Sequence, residues 1–433
     1  MTTTTTAVSD AVARVRADDT LAFPLGPGQP GTFLHALNGR DDWDGLVLMG
    51  ALLVDIYEVM AQPGVRYESG FYGPAERLMR DMGARIEFVP ADFRRFAVIL
   101  EAQAPRVMCT VATPPDADGW MSLSLHAGAS IREMKRAAAD PDRLLIVETN
   151  ERFPRTIGLP PEHRHAIHVD EADVIVEGDH DPLNLADPEP TDADRRIAEY
   201  VASFIPDGAT LQTGIGGIPS TVARLLAEGD GGGYGIHSEM FTTGLMHLHE
   251  AGKVTNRKGI YDGYSISTFA AGAPELYEWL DGNDAVRFLP VDIVNDPDVI
   301  ARNDEFVSIN GALAIDLSGQ VVADSLDGRQ FSGIGGAEDF LAGAGLELSD
   351  RSLVCLRSSL ERDGSTVSRI LPQLPSGSIV TTPRHQVDVV ITEHGIAELQ
   401  GLTVRQRARA LAEIAHPDAR DELLAAAESW PKN

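Results

Sequence analysis

The sequence predicts an α/β protein of two domains, with mostly parallel sheets flanked by helices. Three observations predict it. Short apolar runs alternate with helical patterns from end to end, as in strand–helix–strand units. Several of those runs are apolar without interruption, as buried strands are. The chain has 433 residues, 43% hydrophobic and 23% charged, enough core material for two domains at roughly 100–200 residues each.

In chain order, Met1 to Thr6 is a threonine run with no apolar core, expected to fray and unlike a signal peptide. Gly45 to Met60 is too short for a membrane span and contains Asp55 and Glu58, so it reads as a buried strand running into a helix. Leu46-Val47-Leu48-Met49, Val107-Met108-Cys109-Thr110-Val111 and Leu144-Leu145-Ile146-Val147 read as buried strands. Asp179 to Pro190 is rich in proline and acid and has no periodicity. It marks the boundary between a domain of residues 1–188 and one of residues 189–433. A helix follows, capped by Thr191, with Asp192 and Asp194 in its first turn and Ile197, Val201 and Ile205 on one face. Ala209 to Thr213 reads as a strand. Pro219 suits the first position of the next helix, whose apolar stripe is Val222, Leu225 and Leu226.

The chemistry concentrates in three glycine-bounded segments. Gln212-Thr213-Gly214-Ile215-Gly216-Gly217-Ile218-Pro219 joins a strand to a helix. It resembles Gly-x-Gly-x-x-Gly but has Pro219 in place of the last glycine, which makes it a poor dinucleotide fingerprint. Its backbone N–H groups suit a phosphate, an amide or a thioester oxygen. Gly235 to Gly244 places one carboxylate, Glu239, among few other charges. Phe331 to Phe340 repeats the Gly-Ile-Gly-Gly core before a further helix, with Glu338 and Asp339 in its first turn. A carboxylate between loops of bare backbone donors suits covalent catalysis on an acyl group, with the donors holding the oxyanion.

Composition narrows the partners. A net charge of −29 opposes a nucleic-acid partner, although an anionic small ligand remains compatible with a local basic lining. The only two cysteines, Cys109 and Cys355, lie in apolar surroundings and read as buried thiols of a reducing compartment, hence a cytoplasmic protein. His163 and His165 share a strand face, but no Cys, no His-Glu-x-x-His helix and no fourth ligand accompanies them, so no metal site is expected. Ser238 is not in a Gly-x-Ser-x-Gly elbow, which removes a serine hydrolase.

Several segments in order carry a family resemblance. They are Pro114 to Leu123, Ile167 to Asp173, Gln212 to Pro219, Ser368-Arg369-Ile370, Thr381 to Arg384, Val387 to Val390, Thr392 to Ala397 and Ile414 to Pro417. Across nearly its whole length the chain resembles the acetyl-CoA hydrolase/transferase family of class I CoA-transferases, the group that includes 4-hydroxybutyrate CoA-transferase. The resemblance implies that Glu239 is the covalent nucleophile. It also implies that Gly216, Gly217, Ile218, Pro219 and Ser220, with Asn310, Gly335 and Gly336, surround CoA, with Gln212 and Gly214 as weaker substrate contacts. CoA is then a substrate, no cofactor is held permanently, and a homodimer or higher homo-oligomer is expected, with no nucleic-acid or membrane partner. The chain departs from the family at Ala337, where Gln is usual, in Asp262 to Ser267, and at His163 and His165. Lys253, Arg257, Lys258, Arg329 and Arg384 are candidates for the CoA phosphates.

The implied route is ping-pong CoA transfer between short carboxylic acids through a glutamyl-CoA thioester. Acyl-CoA hydrolysis would need the same residues and differs only in not requiring a second acid. A CoA-binding protein without activity would have no need of Glu239, and an acyl-carrier lyase subunit would need an obligatory partner.

Overall fold

The structure, a computed structural model, describes residues 5–126, 128–344 and 349–429. The threonine run falls partly outside these. Within them, Thr6 is tied down: its N–H donates to Ile175 O at 2.7 Å.

The chain forms two compact units. The first is Met1–Leu185 with Glu239–Phe241 and Tyr264–Asn295, and the second is Ala186–Ser238, Thr242–Gly263 and Asp296–Asn433. A contiguous domain of 189–433 carrying Glu239 was expected; the compact unit that holds Glu239 is instead the first. Backbone pairing explains this. Met240–Phe241 lies parallel to Phe269–Ala270, and the Ala270 N–H donates to Leu125 O at 2.8 Å.

The first unit is built on a seven-stranded sheet. Its edge-to-edge order is Ile86–Phe88, Val65–Ser69, Leu46–Gly50, Thr20–Ala22, Val107–Ala112, Leu144–Thr149, Val174–Glu177, and every pair is parallel. The uninterrupted apolar runs follow from covering both faces. Leu21, Val107, Cys109, Leu144 and Ile146 enter one core; the alternate residues Ala22, Met108, Leu145 and Val147 enter the other. Strand order reverses between Thr20–Ala22 and Val107–Ala112, which opens a crevice at their carboxyl ends.

The second unit holds a six-stranded sheet in the order Gly235–Ile236, Thr210–Thr213, Phe306–Gly311, Arg351–Cys355, Val389–Thr392, Gly395–Glu398. Only the last pair is antiparallel. Here the order reverses between Thr210–Thr213 and Phe306–Gly311. Cys109 and Cys355 are buried free thiols on central strands. Among the described residues no helix is long and apolar enough to cross a membrane.

Two local expectations change. After Leu46–Gly50 the chain does not enter a helix directly; it reaches only the 3-10 turn Glu58–Ala61. The Gln29 side chain satisfies the intervening backbone instead, donating to Ala51 O and Leu52 O and accepting from the Val54 N–H. The helix expected from Pro219 begins at Gly217, so Pro219 is its third residue. A missing N–H is harmless there too, because the first turn has no intrahelical acceptors.

The helix Asp192–Ala202 is capped as expected and held by a buried ion pair. Thr191 Oγ1 accepts from the Asp194 N–H. The Asp194 carboxylate takes the Thr191 N–H and hydroxyl, both at 2.9 Å, and both Arg357 Nε at 2.9 Å and Nη2 at 2.7 Å. Burial raises the Asp194 pKa, but the bonds from Arg357 and Thr191 outweigh it and hold the carboxyl below its ordinary value. Because the folded pKa is depressed, this stabilisation is complete above the unfolded value of about 3.9 and is lost as pH falls through the folded one. Asp194→Ala is expected to lower the unfolding free energy by about 2 kcal/mol near neutral pH, part of the buried-pair value being forfeited to the half-exposed Arg357. Urea unfolding of both proteins at neutral pH and near pH 3 checks it, and the difference should shrink at the lower pH.

Candidate active site

Glu239 is delivered by backbone. Gly235–Ile236 pairs with Thr210–Thr213, and the His237 N–H continues the ladder to Leu211 O at 3.2 Å. His237 and Ser238 are both 0% exposed. The Ser238 hydroxyl donates to Thr213 O at 3.1 Å and accepts from the Thr213 N–H at 3.4 Å. His237 packs against Phe306 and Phe340. Both side chains before Glu239 are therefore committed to the sheet, and Glu239 itself is half-buried.

Within the first unit Glu239 is held at both ends. Its carbonyl accepts from Ser267 Oγ at 2.8 Å, the Thr268 N–H at 3.0 Å and the Phe269 N–H at 3.2 Å. Its carboxylate Oε2 accepts from Asn295 Nδ2 at 2.6 Å. Asn295 is fully buried and caps the four-residue helix Val291–Val294. Nothing in the sequence singled out Asn295, because it lies 56 positions beyond Glu239 in an unremarkable Val-Asn-Asp run.

His126 lies close by. Its ring centroid is 6.0 Å from that of Phe269, and its Cβ would be 3.0 Å from a Cβ placed on Gly28, in the loop that leaves Thr20–Ala22. Burial lowers its pKa to about 3, so the imidazole is neutral, and neither ring nitrogen has a hydrogen-bond partner among the described residues. The neighbourhood of Glu239 thus reaches the reversal crevice of the first sheet.

Gln212, the Gly214–Ser220 segment and Asn310 lie at the reversal point of the second sheet. Gln212, 5% exposed, is the last but one residue of its strand, and its Oε1 accepts from the Ile309 N–H at 3.2 Å and from Asn310 Nδ2 at 3.3 Å. Gly214 begins the loop and Gly216 caps the helix at φ 119° and ψ 177°, a conformation open to glycine. Ile218 and Pro219 lie in the first turn, and the Ser220 and Thr221 hydroxyls bond to Gly217 O. The Gly216 N–H, expected to face a ligand, lies near enough to the Asp187 carboxylate to stabilise its charge. Burial raises the Asp187 pKa, and that N–H opposes the rise. Gly335 has φ 60° and Gly336 caps the helix Ala337–Gly343 at φ −98°. Asp339 in its first turn is buried, and Glu338 accepts from the Thr382 hydroxyl at 2.5 Å.

Two of the candidate cations have other work. Lys258 is fully buried, donating to Ile260 O and Tyr261 O, and burial lowers its pKa to about 8. Lys253 donates to Gly229 O and Gly231 O. Arg257, Arg329 and Arg384 are exposed. His165 is buried with Nε2 at 2.7 Å from Ser124 O, whereas His163 borders a cleft. Among the described residues no group of three or more His, Cys, Asp or Glu is placed to hold a metal ion.

Comparison with known proteins identifies relatives along nearly the whole chain. Residues 272–427 match the acetyl-CoA hydrolase/transferase C-terminal domain. The chain is 36% identical over 421 residues to a 4-hydroxybutyrate coenzyme A transferase of Clostridium kluyveri, covering 96% of this chain and 95% of that one. It is 36% identical over 424 residues to a succinyl-CoA:cyclohexane-1-carboxylate CoA transferase of Geobacter metallireducens, covering 96% and 93%. The crystal structure of RipA from Yersinia pestis superposes with a TM-score of 0.89 at 33% identity, covering 98% of this chain and 97% of that one.

The two glycine loops separate strain from ligand contact. A Cβ at Gly216 meets nothing within 4 Å, so Gly216→Ala should lose about 1–3 kcal/mol through its backbone angle alone. Gly336 has an ordinary φ, so Gly336→Ala should unfold within about 0.5 kcal/mol of the parent while raising KM for acyl-CoA. Denaturant midpoints and steady-state kinetics on both variants measure this. An unchanged KM in Gly336→Ala removes the third loop from the CoA site.

Proposed function

The chain belongs to the acetyl-CoA hydrolase/transferase family of class I CoA-transferases and moves CoA between an acyl-CoA and a carboxylic acid; we propose that it does so by a ping-pong route through a glutamyl-CoA thioester at Glu239. The observation that carries the reading is the short bond between Asn295 Nδ2 and Glu239 Oε2, which holds the carboxylate in one orientation.

A Glu239 oxygen attacks the acyl-CoA carbonyl carbon. The carbon–sulfur bond breaks, CoA leaves as thiolate, and an acyl–glutamyl anhydride remains. The thiolate then attacks the glutamyl carbonyl carbon. A carbon–sulfur bond forms to Glu239, and the first acid departs as carboxylate with the electron pair of the broken carbon–oxygen bond. A second carboxylate reverses both steps and leaves as the new acyl-CoA. No proton is gained or lost overall. A carboxylate needs no base to activate it at neutral pH, which fits a site where His237 is packed away and His126 is neutral.

Asn295 has two tasks in this route. It fixes one carboxylate oxygen in the starting state. When thiolate attacks the glutamyl carbonyl, that oxygen takes up negative charge within reach of the same amide donor. Backbone N–H groups of the loops at Gly216–Ser220 and Gly335–Gly336, with Asn310, are assigned to CoA, and Gln212 and Gly214 to substrate. Support for the CoA assignment of Gly216–Ser220 and Asn310 is their place beyond or at the carboxyl ends of two strands between which the order reverses, the usual ligand position in such sheets. The reading includes a cytoplasmic homodimer or larger homo-oligomer. Two buried free thiols suit the reducing compartment, and sedimentation measures the assembly.

Incubation with acyl-CoA and no acceptor acid should trap CoA on Glu239, detectable by mass, reducible by borohydride and convertible to a hydroxamate by hydroxylamine. Glu239→Ala should lose both label and transfer, and Glu239→Asp should be slowed severely because the nucleophile retreats by one methylene. Asn295→Ala should still take the label but with kcat lowered about a hundredfold, the cost of one oxyanion donor. Turnover in water without any acceptor acid at the rate seen with one would favour hydrolysis. Transfer at the parent rate by Glu239→Ala would falsify the covalent route.

A further inference from the structure

The first unit contains a cleft of about 520 Å³ whose lining shares no residue with the contacts of Glu239 described above. Its walls include Trp120, Arg132, Lys135, His163, Arg164 and Asp292. With Glu162, that gives three cationic side chains and two carboxylates, on a chain whose net charge is −29. With Glu171, which Lys135 holds, the charges balance, and the cleft is set apart by how each cation is engaged.

The three cations are engaged differently. Lys135 donates to both oxygens of Glu171, at 2.7 and 2.6 Å. Arg132 pairs with Asp292 at 2.5 Å. The Arg164 guanidinium lies 4.2 Å from the Trp120 ring centroid, and no side chain or carbonyl among the described residues accepts a hydrogen bond from it. The indole face satisfies the charge, while the N–H groups in the guanidinium plane stay available. A flat, pre-positioned fork of this kind matches the paired oxygens of a carboxylate or phosphate.

Another part of the lining connects to Glu239. Asp292 is the second residue of the helix Val291–Val294, and the residue that caps this helix is Asn295. The Val291 N–H anchors its start to Gly128 O at 3.1 Å. An anion entering beside Arg132 competes with Asp292 for the guanidinium and repels the Asp292 carboxylate. One turn of helix separates Asp292 from Asn295, the residue whose amide holds Glu239 Oε2.

We propose that this cleft binds a small oxyanion, carboxylate or phosphate, and that its occupancy adjusts the rate of CoA transfer through the Val291–Val294 helix. The coupling rests on the assigned role of Glu239; the binding does not.

Calorimetric titration of the whole enzyme with inorganic phosphate, and separately with malonate, at constant ionic strength tells the two sources of oxyanion apart. At least one should bind saturably. Arg164→Ala should weaken that binding about tenfold or more, the worth of a hydrogen bond to a charged group, and Arg164→Lys should fall between. Malonate bound at the acceptor-acid site would survive Arg164→Ala unchanged and so is separated from the cleft. At saturating substrates, the anion that binds should change kcat over the same concentration range in the parent and leave it unchanged in Arg164→Ala. Equal affinities in parent and Arg164→Ala overturn the site. Binding that is lost in Arg164→Ala while kcat never responds overturns the coupling. Calorimetry requires no turnover, so a failure of the transfer mechanism would not be mistaken for an empty cleft.

Discussion

The arrangement depends first on the clasp between Ser238 and Thr213. One hydroxyl bonds both backbone groups of Thr213, at the last residue of a central strand. This fixes the chain one residue before Glu239. Three donors on the Glu239 carbonyl fix it at the residue itself. With the backbone held on both sides, only side-chain torsions are left to orient the carboxylate, and Asn295 restrains their far end. A weak nucleophile gains most from such preorganisation, because its reactivity cannot be raised much by changing its protonation.

Each unit places candidate residues at the point where its sheet reverses strand order. In the first, the loop after Thr20–Ala22 meets His126, and His126 meets Phe269 beneath Glu239. In the second, Gln212 and Asn310 bridge two neighbouring strands beside the Gly214–Gly216 loop. Diverging connections leave an open crevice at such points without any strain in the strands. Carboxylates lie close to several donors. Asp187 lies near the Gly216 N–H, and Asp292 holds Arg132. In so acidic a chain, an incoming anion would have to compete with resident ones, and geometry rather than overall charge has to decide where it succeeds.

Much of the fold was legible in the sequence because parallel strands buried on both faces must be apolar at every position. That is why Val107 to Val111 and Leu144 to Val147 read correctly as strands, and why Thr191 with Asp194 read correctly as a helix start. Side chains that replace local structure defeated the same reasoning. Gln29 satisfies the backbone of residues 51–54 from more than twenty positions away, so the expected continuation into helix does not occur. Lys258 reads as a free surface cation in a polar run, yet it is buried under its own loop.

The sequence by itself determined the α/β class and the positions of the glycine loops, and it singled out Glu239 for test, since these rest on residue type and near-neighbour spacing. Tertiary structure alone decided that Asn295 holds Glu239, that Asp187 approaches the Gly216 N–H, and that Glu239–Phe241 joins the first unit. These outcomes depend on which distant segments the sheets bring together. Asn and Asp also carry little periodic signal, because one hydrogen bond from a single residue imposes no pattern on its neighbours.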